Sequence, residues 1–137
     1  MSRSLFISAS ALATLTLAVA CGQLPPESTA PATPESVSPD GVQHVTVLVS
    51  NESRFAPSHL VVKAGRPVDL TLRSIGLVSH DFTLREGTSE PVHIVVDAGR
   101  SASARFTLAR PGTYAFLCTV PGHDEAGMHG TITAEAE

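Results

Sequence analysis

Residues 118–128 read Cys-Thr-Val-Pro-Gly-His-Asp-Glu-Ala-Gly-Met, which places a thiolate, an imidazole and a thioether in one short stretch. All three side chains are soft metal ligands. A thiolate and two imidazoles in one plane, with a weak axial thioether, form the donor set that selects copper for electron transfer. His80 is the upstream candidate for the second imidazole. The pattern therefore predicts a copper site in this stretch, with His80 as the residue that completes it.

This stretch joins two predicted strands, one ending in Tyr-Ala-Phe-Leu at residues 114–117 and one beginning at Gly130. Outward from it, short alternating or β-branched runs recur with turn signals about every 8 to 12 residues. The predicted strands are Gln43–Val49, Leu60–Lys63, Val68–Arg73, Asp81–Leu84, His93–Val96, Ala102–Leu108, Thr113–Leu117 and Gly130–Ala134. About eight strands without a long amphipathic pattern predict an all-β fold, a Greek-key β-sandwich or barrel.

Proline and glycine mark the turns between these strands, at residues 63–67, 97–100 and 110–112. In the metal-ligand stretch, Pro121 and Gly122 are expected to turn His123 back toward the sulfur, and Gly127 to relieve crowding beside Met128. A domain of about 95 residues has a small core. The residues expected to fill much of it are Phe55, Leu60, Val62, Leu70, Leu72, Phe82, Phe106, Tyr114 and Phe116.

Zinc is the competing metal, because two His, one Cys and a fourth donor can also form a tetrahedral site. Methionine is a poor zinc ligand, so its position in the pattern favours copper. A binuclear copper site would need a second Cys between residues 118 and 123, and the sequence has none there. A nucleophilic enzyme with Cys118 activated by a nearby base is a weaker alternative. No carboxylate or amide is in register to orient that base.

The N-terminus has the pattern of an export signal, with Arg3 followed by an apolar run that ends in small residues near position 20. Cys21 follows small residues as in a bacterial lipoprotein signal, so we expect lipidation of Cys21 and a membrane anchor. The alternative is an ordinary soluble secreted protein in which Cys21 is lost or left free. Residues 21–41 are rich in Pro, Ser and Thr and predict a disordered tether with a reach of about 60 Å.

The charge balance gives no support for nucleic-acid binding. The whole chain carries a formal net charge of -4, and the 8 basic and 10 acidic residues from Val42 onward give -2. With 5 Phe, 1 Tyr and no Trp, stacking platforms for bases are also not expected. The remaining histidines, His44, His59, His93 and His129, lie outside the ligand pattern and are expected to have surface or structural roles.

The spacing Cys118-x4-His123-x4-Met128, followed by His-Gly-Thr-Ile-Thr, resembles the copper loop of the cupredoxins, the plastocyanin and azurin family of small blue copper proteins. The segment from Phe55 to Val68 and the run Ser-His-Asp-Phe at residues 79–82 resemble further parts of that family. Together these matches cover nearly all of residues 42–134, and we take residues 42–137 as the cupredoxin domain.

The resemblance implies a type 1 copper site. His80, Cys118 and His123 would be its equatorial ligands and Met128 its long axial ligand. Asp81 and Thr119 match the pair that links the segment of the first His to the residue after the Cys, and such links orient ligands and modulate their donation.

The resemblance also implies a function without catalysis: a monomeric one-electron carrier outside the cytoplasm. Its transient partners would be redox proteins such as a cytochrome or a copper reductase, met through an apolar rim around His123. The candidates for this rim are Ile75, Gly76, Leu77, Val78 and Pro121. Asp124 and Glu125 interrupt that rim and predict a partner with basic charge and salt-sensitive association. The alternative is a copper-binding lipoprotein that sequesters or delivers copper without redox turnover.

Overall fold

The computed structural model describes residues 23–26 and 30–137. The predicted signal at residues 1–20 and the predicted lipidation site Cys21 lie outside these residues. The described part contains strands and no helix, and so no helix there is long and apolar enough to cross a membrane. The strands are β1 Ser36–Val37, β2 Gln43–Val49, β3 His59–Lys63, β4 Pro67–Ser74, β5 His80–Leu84, β6 Val92–Val96, β7 Ser101–Thr107, β8 Gly112–Leu117 and β9 His129–Glu135.

The strands form two packed sheets, which confirms the predicted all-β sandwich. One sheet has the order β1-β2-β4-β7, and the other has the order β3-β9-β8-β5-β6. The pairs β2 with β4 and β3 with β9 are parallel, whereas the other neighbours are antiparallel. Parallel neighbours need crossover connections. The chain therefore passes from one sheet to the other between β2 and β3 and again between β3 and β4.

Strand alternation builds the core. Along β2, each second side chain from Gln43 to Val49 is buried and the ones between are half-buried. Phe55, Phe82 and Phe116 meet at the centre, with ring-centroid distances of 5.1 Å between Phe55 and Phe116 and 4.5 Å between Phe82 and Phe116. Of the core residues predicted from the sequence, only Tyr114 differs: it is half-buried, because its hydroxyl donates to the Arg110 carbonyl at 2.9 Å.

The segment before the domain departs from the disordered tether that its composition predicts. Residues 32–37, called the strap below, pair with both sheets. The Ala32 N–H donates to the His59 carbonyl of β3, and the Glu35 N–H donates to the His44 carbonyl of β2, each at 2.9 Å. Further back, Leu24 is 7% exposed. The strap covers backbone groups at the edges of β2 and β3 that would otherwise be open to other chains.

Three strand ends meet at one end of the sandwich. In register, Leu117 at the end of β8 lies opposite His129 at the start of β9 and opposite Thr83 of β5. Residues 118–128, called the ligand loop below, therefore leave β8 and enter β9 at adjacent points. Both ends of the loop are fixed by the sheet, and β5 begins beside them with His80.

Candidate metal centre

His80 is the most tightly held of the four predicted ligands. It is 1% exposed, and its Nε2 lies 2.5 Å from the carbonyl oxygen of Ser50. A carbonyl only accepts, so Nε2 carries the hydrogen and Nδ1 keeps its lone pair. Among the described residues, the buried Nδ1 has no hydrogen-bond partner. An unpaired buried acceptor is costly, and a metal ion is the partner that such a nitrogen fits.

The ligand loop is closed by its own backbone. The Cys118 N–H donates to the Met128 carbonyl at 3.0 Å, and the Met128 N–H donates to the His123 carbonyl at 2.9 Å. Between them, the His123 N–H donates to the Val120 carbonyl at 3.0 Å. This turn confirms the predicted return of His123 toward the sulfur, and it uses the positive φ of 83° at Gly122.

Gly127 serves a different purpose from the one predicted. A Cβ at this position would meet nothing within 4 Å among the described residues, so crowding beside Met128 is not the reason for glycine. Its φ is +100°, a backbone conformation that other residues rarely adopt. The glycine therefore allows the chain to turn into Met128 rather than making room for its side chain.

The structure brings three of the predicted ligand atoms together. One nitrogen each of His80 and His123 and the Sγ of Cys118 all lie within 4.8 Å of one another. Cys118 Sγ lies 3.5 Å from His123 Nδ1, and the two imidazole centroids are 5.0 Å apart. Met128 is fully buried, and its backbone is bonded to both loop ligands. The centre is thus enclosed on the protein side and reaches the surface at the half-buried His123.

Asp81 and Thr119 make the link that the sequence predicted. The Thr119 N–H lies 3.0 Å from both carboxylate oxygens of Asp81, and the Thr119 hydroxyl donates to Oδ2 at 2.9 Å. The Asp81 N–H in turn points at Cys118 Sγ, 3.5 Å away. Asp81 is 4% exposed. These contacts tie the first residue after His80 to the first residue after Cys118, and so hold the two ligand segments together.

The electrostatics of the centre suit a cation. Burial lowers the pKa of His80, and the neighbouring His123 adds to this, so the imidazole stays neutral and able to ligate. Burial raises the pKa of the Cys118 thiol, because a thiolate without a cation is poorly solvated there. Burial also disfavours charge on Asp81, but hydrogen bonds from Thr119 and Thr83 outweigh it and lower the pKa of that carboxyl.

The donor set fits copper better than zinc. Two imidazole nitrogens and a buried sulfur converge, and the residue that closes the loop is methionine rather than a fourth His, Cys or carboxylate. A trigonal His, His, Cys group with a weak axial thioether is the arrangement of a type 1 copper site. The centre therefore fits one copper ion of this type.

A family model described as a cupredoxin-like domain matches residues 11–134. The chain belongs to this family. The match covers most of the chain and agrees with the resemblance that the ligand loop carries. Fold and family thus agree, and the metal centre of this cupredoxin occupies the end of the sandwich where the ligand loop leaves β8.

Individual relatives extend the comparison. The copper-resistant cuproprotein CopI of Rubrivivax gelatinosus is 29% identical in an alignment of 105 residues that covers 64% of this chain and 64% of CopI. The plastocyanin of Prochlorothrix hollandica is 35% identical in an alignment of 86 residues that covers 59% of this chain and 63% of that protein. The chain thus spans less than two thirds of the length of either relative.

A solved structure supports the fold independently. Auracyanin A, a "blue" copper protein of Chloroflexus aurantiacus, matches with a TM-score of 0.61 and 20% identity, and the match covers 69% of this chain and 100% of auracyanin A. The agreement at this low identity concerns the fold, which is the two-sheet sandwich described above.

Two contributors to the centre were not predicted from the sequence. The Ser50 carbonyl that orients His80 carries no side-chain signal and is brought there by the end of β2. Thr83 donates its hydroxyl hydrogen to Asp81 Oδ1 at 2.8 Å, and its position two residues beyond Asp81 on β5 is a signal that could have identified it. His129, as predicted, is exposed, and it bonds to Asp124 at 2.8 Å rather than facing the metal centre.

Proposed function

We propose that this cupredoxin is a one-electron carrier with a mononuclear type 1 copper site, in which His80, Cys118 and His123 are equatorial ligands and Met128 is the axial ligand. The observation that carries the proposal is the convergence of two imidazole nitrogens and one buried sulfur within 4.8 Å. Bound copper supplies the Cu(I)/Cu(II) couple. The protein supplies a fixed set of donors, and an enclosure that keeps water from the sulfur.

Rigidity supports electron transfer. His80 is fixed by Ser50 and by its place in β5, and the ligand loop is fixed by backbone bonds and by Asp81. A site that cannot rearrange has a small reorganisation energy when the charge of the metal changes. A small reorganisation energy favours fast electron exchange. The full burial of Cys118 also disfavours the nucleophilic enzyme, because a substrate cannot reach the sulfur.

The surface around His123 supports transient contact with redox partners. Of the residues expected in the rim, Leu77 is 85% exposed, Val78 is 40% exposed, and Pro121 is also exposed. Ile75 and Gly76, also expected in this rim, are half-buried and buried. Exposed apolar side chains are suited to weak, short-lived docking, and His123 offers the path from the metal to a partner such as a cytochrome.

Copper sequestration or delivery is the second candidate function. The similarity to the copper-resistant cuproprotein CopI favours it, and that match covers 64% of this chain. The two functions differ in what happens on reduction. A carrier retains copper in both oxidation states, whereas a delivery protein releases Cu(I) to an acceptor.

Competition with a Cu(I) chelator separates the two functions. The copper-loaded protein is reduced with ascorbate in the presence of bathocuproine disulfonate and then reoxidised. A carrier should keep its copper and recover its full thiolate-to-copper absorption after reoxidation. Rapid transfer of copper to the chelator from the wild-type protein would reject the carrier and favour delivery. The Cys118→Ser variant is the control, since it should lose copper in either case.

We further propose that the chain is exported and anchored through a lipid on Cys21, facing the periplasm or the cell exterior. The supporting observation is the charged, apolar and small-residue pattern of the first 21 residues. Because Leu24 packs on the domain, an anchor at Cys21 would hold the domain within about 10 Å of the lipid rather than 60 Å. The mass of the mature protein tests this: an N-terminal diacylated Cys21 is expected, and an unmodified or absent Cys21 would contradict it.

A further inference from the structure

A line of hydrogen bonds leads from the metal centre to an exposed imidazole. Asp81 holds Thr119 on one side and accepts the Thr83 hydroxyl hydrogen at 2.8 Å on the other. The same Thr83 hydroxyl lies 2.8 Å from Nδ1 of His93. Asp81 and Thr83 are 4% and 8% exposed, whereas the His93 side chain is 52% exposed. The line therefore runs from the ligand loop to solvent through two buried side chains.

The hydrogens in this line can be assigned. An ionised carboxylate only accepts, so the single hydrogen of the Thr83 hydroxyl goes to Asp81. The bond between Thr83 and His93 must then be donated by the imidazole, which places a hydrogen on Nδ1 of His93. The other nitrogen, Nε2, is the one that gains or loses a proton. Protonation there keeps the bond and makes it charge-assisted.

We propose that His93 is a positioning residue of the copper site, which acts through Thr83 and Asp81 on Thr119 and thereby on the ligand loop. The inference rests on the proposed type 1 site. His93 does not touch the metal. It holds the Thr83 hydroxyl in the orientation that serves Asp81, and its charge faces the carboxylate that lies 3.7 Å from Cys118 Sγ.

The charges around His93 leave Asp81 as its main buried partner. His93 Nδ1 lies 4.0 Å from Asp81 Oδ1. Glu90 and Arg105 line the same surface cleft as His93, but both are exposed, and Arg105 is paired with Asp69 at 2.8 Å. Arg85 follows β5 directly and is also exposed. Exposed charges are screened by water, so the charge of His93 acts most strongly on Asp81.

The charge of His93 sets the direction in which the reduction potential changes. A proton on His93 offsets part of the negative charge that Asp81 presents to the sulfur, and this favours the reduced centre with its lower positive charge. The reduction potential should therefore rise as the pH falls through the titration of His93.

The first test needs no copper. Amide chemical shifts of Thr119 in the apoprotein are followed by NMR against pH, in the wild type and in His93→Asn, whose amide N–H replaces the Nδ1 donor without titrating. In the wild type, the Thr119 amide chemical shift should change with pH at the same midpoint as the His93 ring. His93→Asn should lose this pH-dependent component. Thr83→Val should lose it as well, while the His93 ring still titrates. An identical Thr119 titration in the wild type and His93→Asn would overturn the proposal.

His44 offers a matched control. It is a half-buried imidazole whose Nε2 lies 2.6 Å from the Ser38 hydroxyl, in the other sheet. His44→Gln should leave the Thr119 component unchanged. If His44→Gln lost the pH-dependent component of the Thr119 shift as fully as His93→Asn, that component would reflect a general effect of charge. The specific line through Thr83 would then be rejected.

The second test measures the reduction potential of the copper-loaded proteins against pH. The wild type should show a rise at low pH with the His93 midpoint, and His93→Asn and Thr83→Val should lose that rise. If all variants show the thiolate-to-copper band but their reduction potentials change equally with pH, the role of His93 is rejected and the proposed function stands. Absence of the band in every variant, with the Thr119 component present in the apoprotein, would reject the copper carrier alone.

Discussion

At the residue scale, the centre depends on two buried side chains that a cation would stabilise. His80 uses Nε2 on Ser50 and keeps Nδ1 for a metal, and Cys118 is buried where a thiolate alone is disfavoured. A cation placed between these two side chains removes the free-energy cost of burying each of them. The ligand assignment by residue type was available from the sequence, but the choice of nitrogen on His80 depends on a backbone carbonyl that the structure supplies.

Met128 provides the residue-scale prediction. Met128→Leu conserves volume in a fully buried position, so the fold should be kept. Removal of the weak axial sulfur should leave the thiolate-to-copper band and raise the reduction potential, because the oxidised metal loses a donor. Spectroscopy and voltammetry check this. An unchanged potential and spectrum would show that Met128 is not a ligand.

At the element scale, the sequence predicted the strands well because each carries its own alternation and turn signals. All eight predicted strands are present, with ends within about one residue for most of them. β1 was not predicted, since two residues in a Pro-rich segment show no periodicity. The order of strands in the sheets could not be predicted either, because it depends on which strands, distant in sequence, pair along their edges.

The segment before β5 yields an element-scale prediction. A Cβ at Gly76 would lie 2.7 Å from the backbone of Ser50 and Asn51. Gly76→Ala must push this backbone away, and the Ser50 carbonyl that holds His80 should move with it. We expect a changed ligand-field spectrum and weaker copper retention. Gly99→Ala is the control: it adds strain at φ +66° with nothing within 4 Å among the described residues, so it should cost stability without altering the spectrum.

The strap yields the second element-scale prediction. A chain beginning at Gly41 is compared with one beginning at Gln23. The shorter chain lacks the cover of both sheet edges and the burial of Leu24. The shorter chain should lose about 1–3 kcal/mol of unfolding free energy, chiefly from Leu24. It should also associate at high concentration through its open edges. Denaturant unfolding and light scattering check both, and equal stability with no association would show that the strap is only loosely attached.

At the scale of the whole molecule, the sandwich places metal, apolar rim and acidic residues at one end. Asp124, expected together with Glu125 to attract a basic partner, is hydrogen-bonded to His129, which leaves Glu125 as the more available charge beside His123. The sequence predicted this acidic pair but not the hydrogen bond of Asp124 to His129, because that bond forms only when the ligand loop closes.

The position of Glu125 predicts how the protein exchanges electrons with small reagents. Reduction of the Cu(II) protein by hexaammineruthenium(II), a cation, should slow as ionic strength rises, because screening weakens the attraction. Glu125→Gln should reduce that dependence, while Glu137→Gln, at the distant chain end, should not. Stopped-flow rates measure it. A rate indifferent to salt in the wild type would contradict an electrostatic role for this end of the molecule.

His80, Cys118, His123 and Met128 are proposed to form a type 1 copper centre. The visible absorption and EPR spectra of the Cu(II)-loaded protein, recorded beside those of Cys118→Ser, test this assignment. The wild type should show an intense thiolate-to-copper band with narrow copper hyperfine splitting, reversible on reduction and absent from the serine variant. A colourless wild-type protein with ordinary copper splitting, or a band that survives Cys118→Ser, would contradict it.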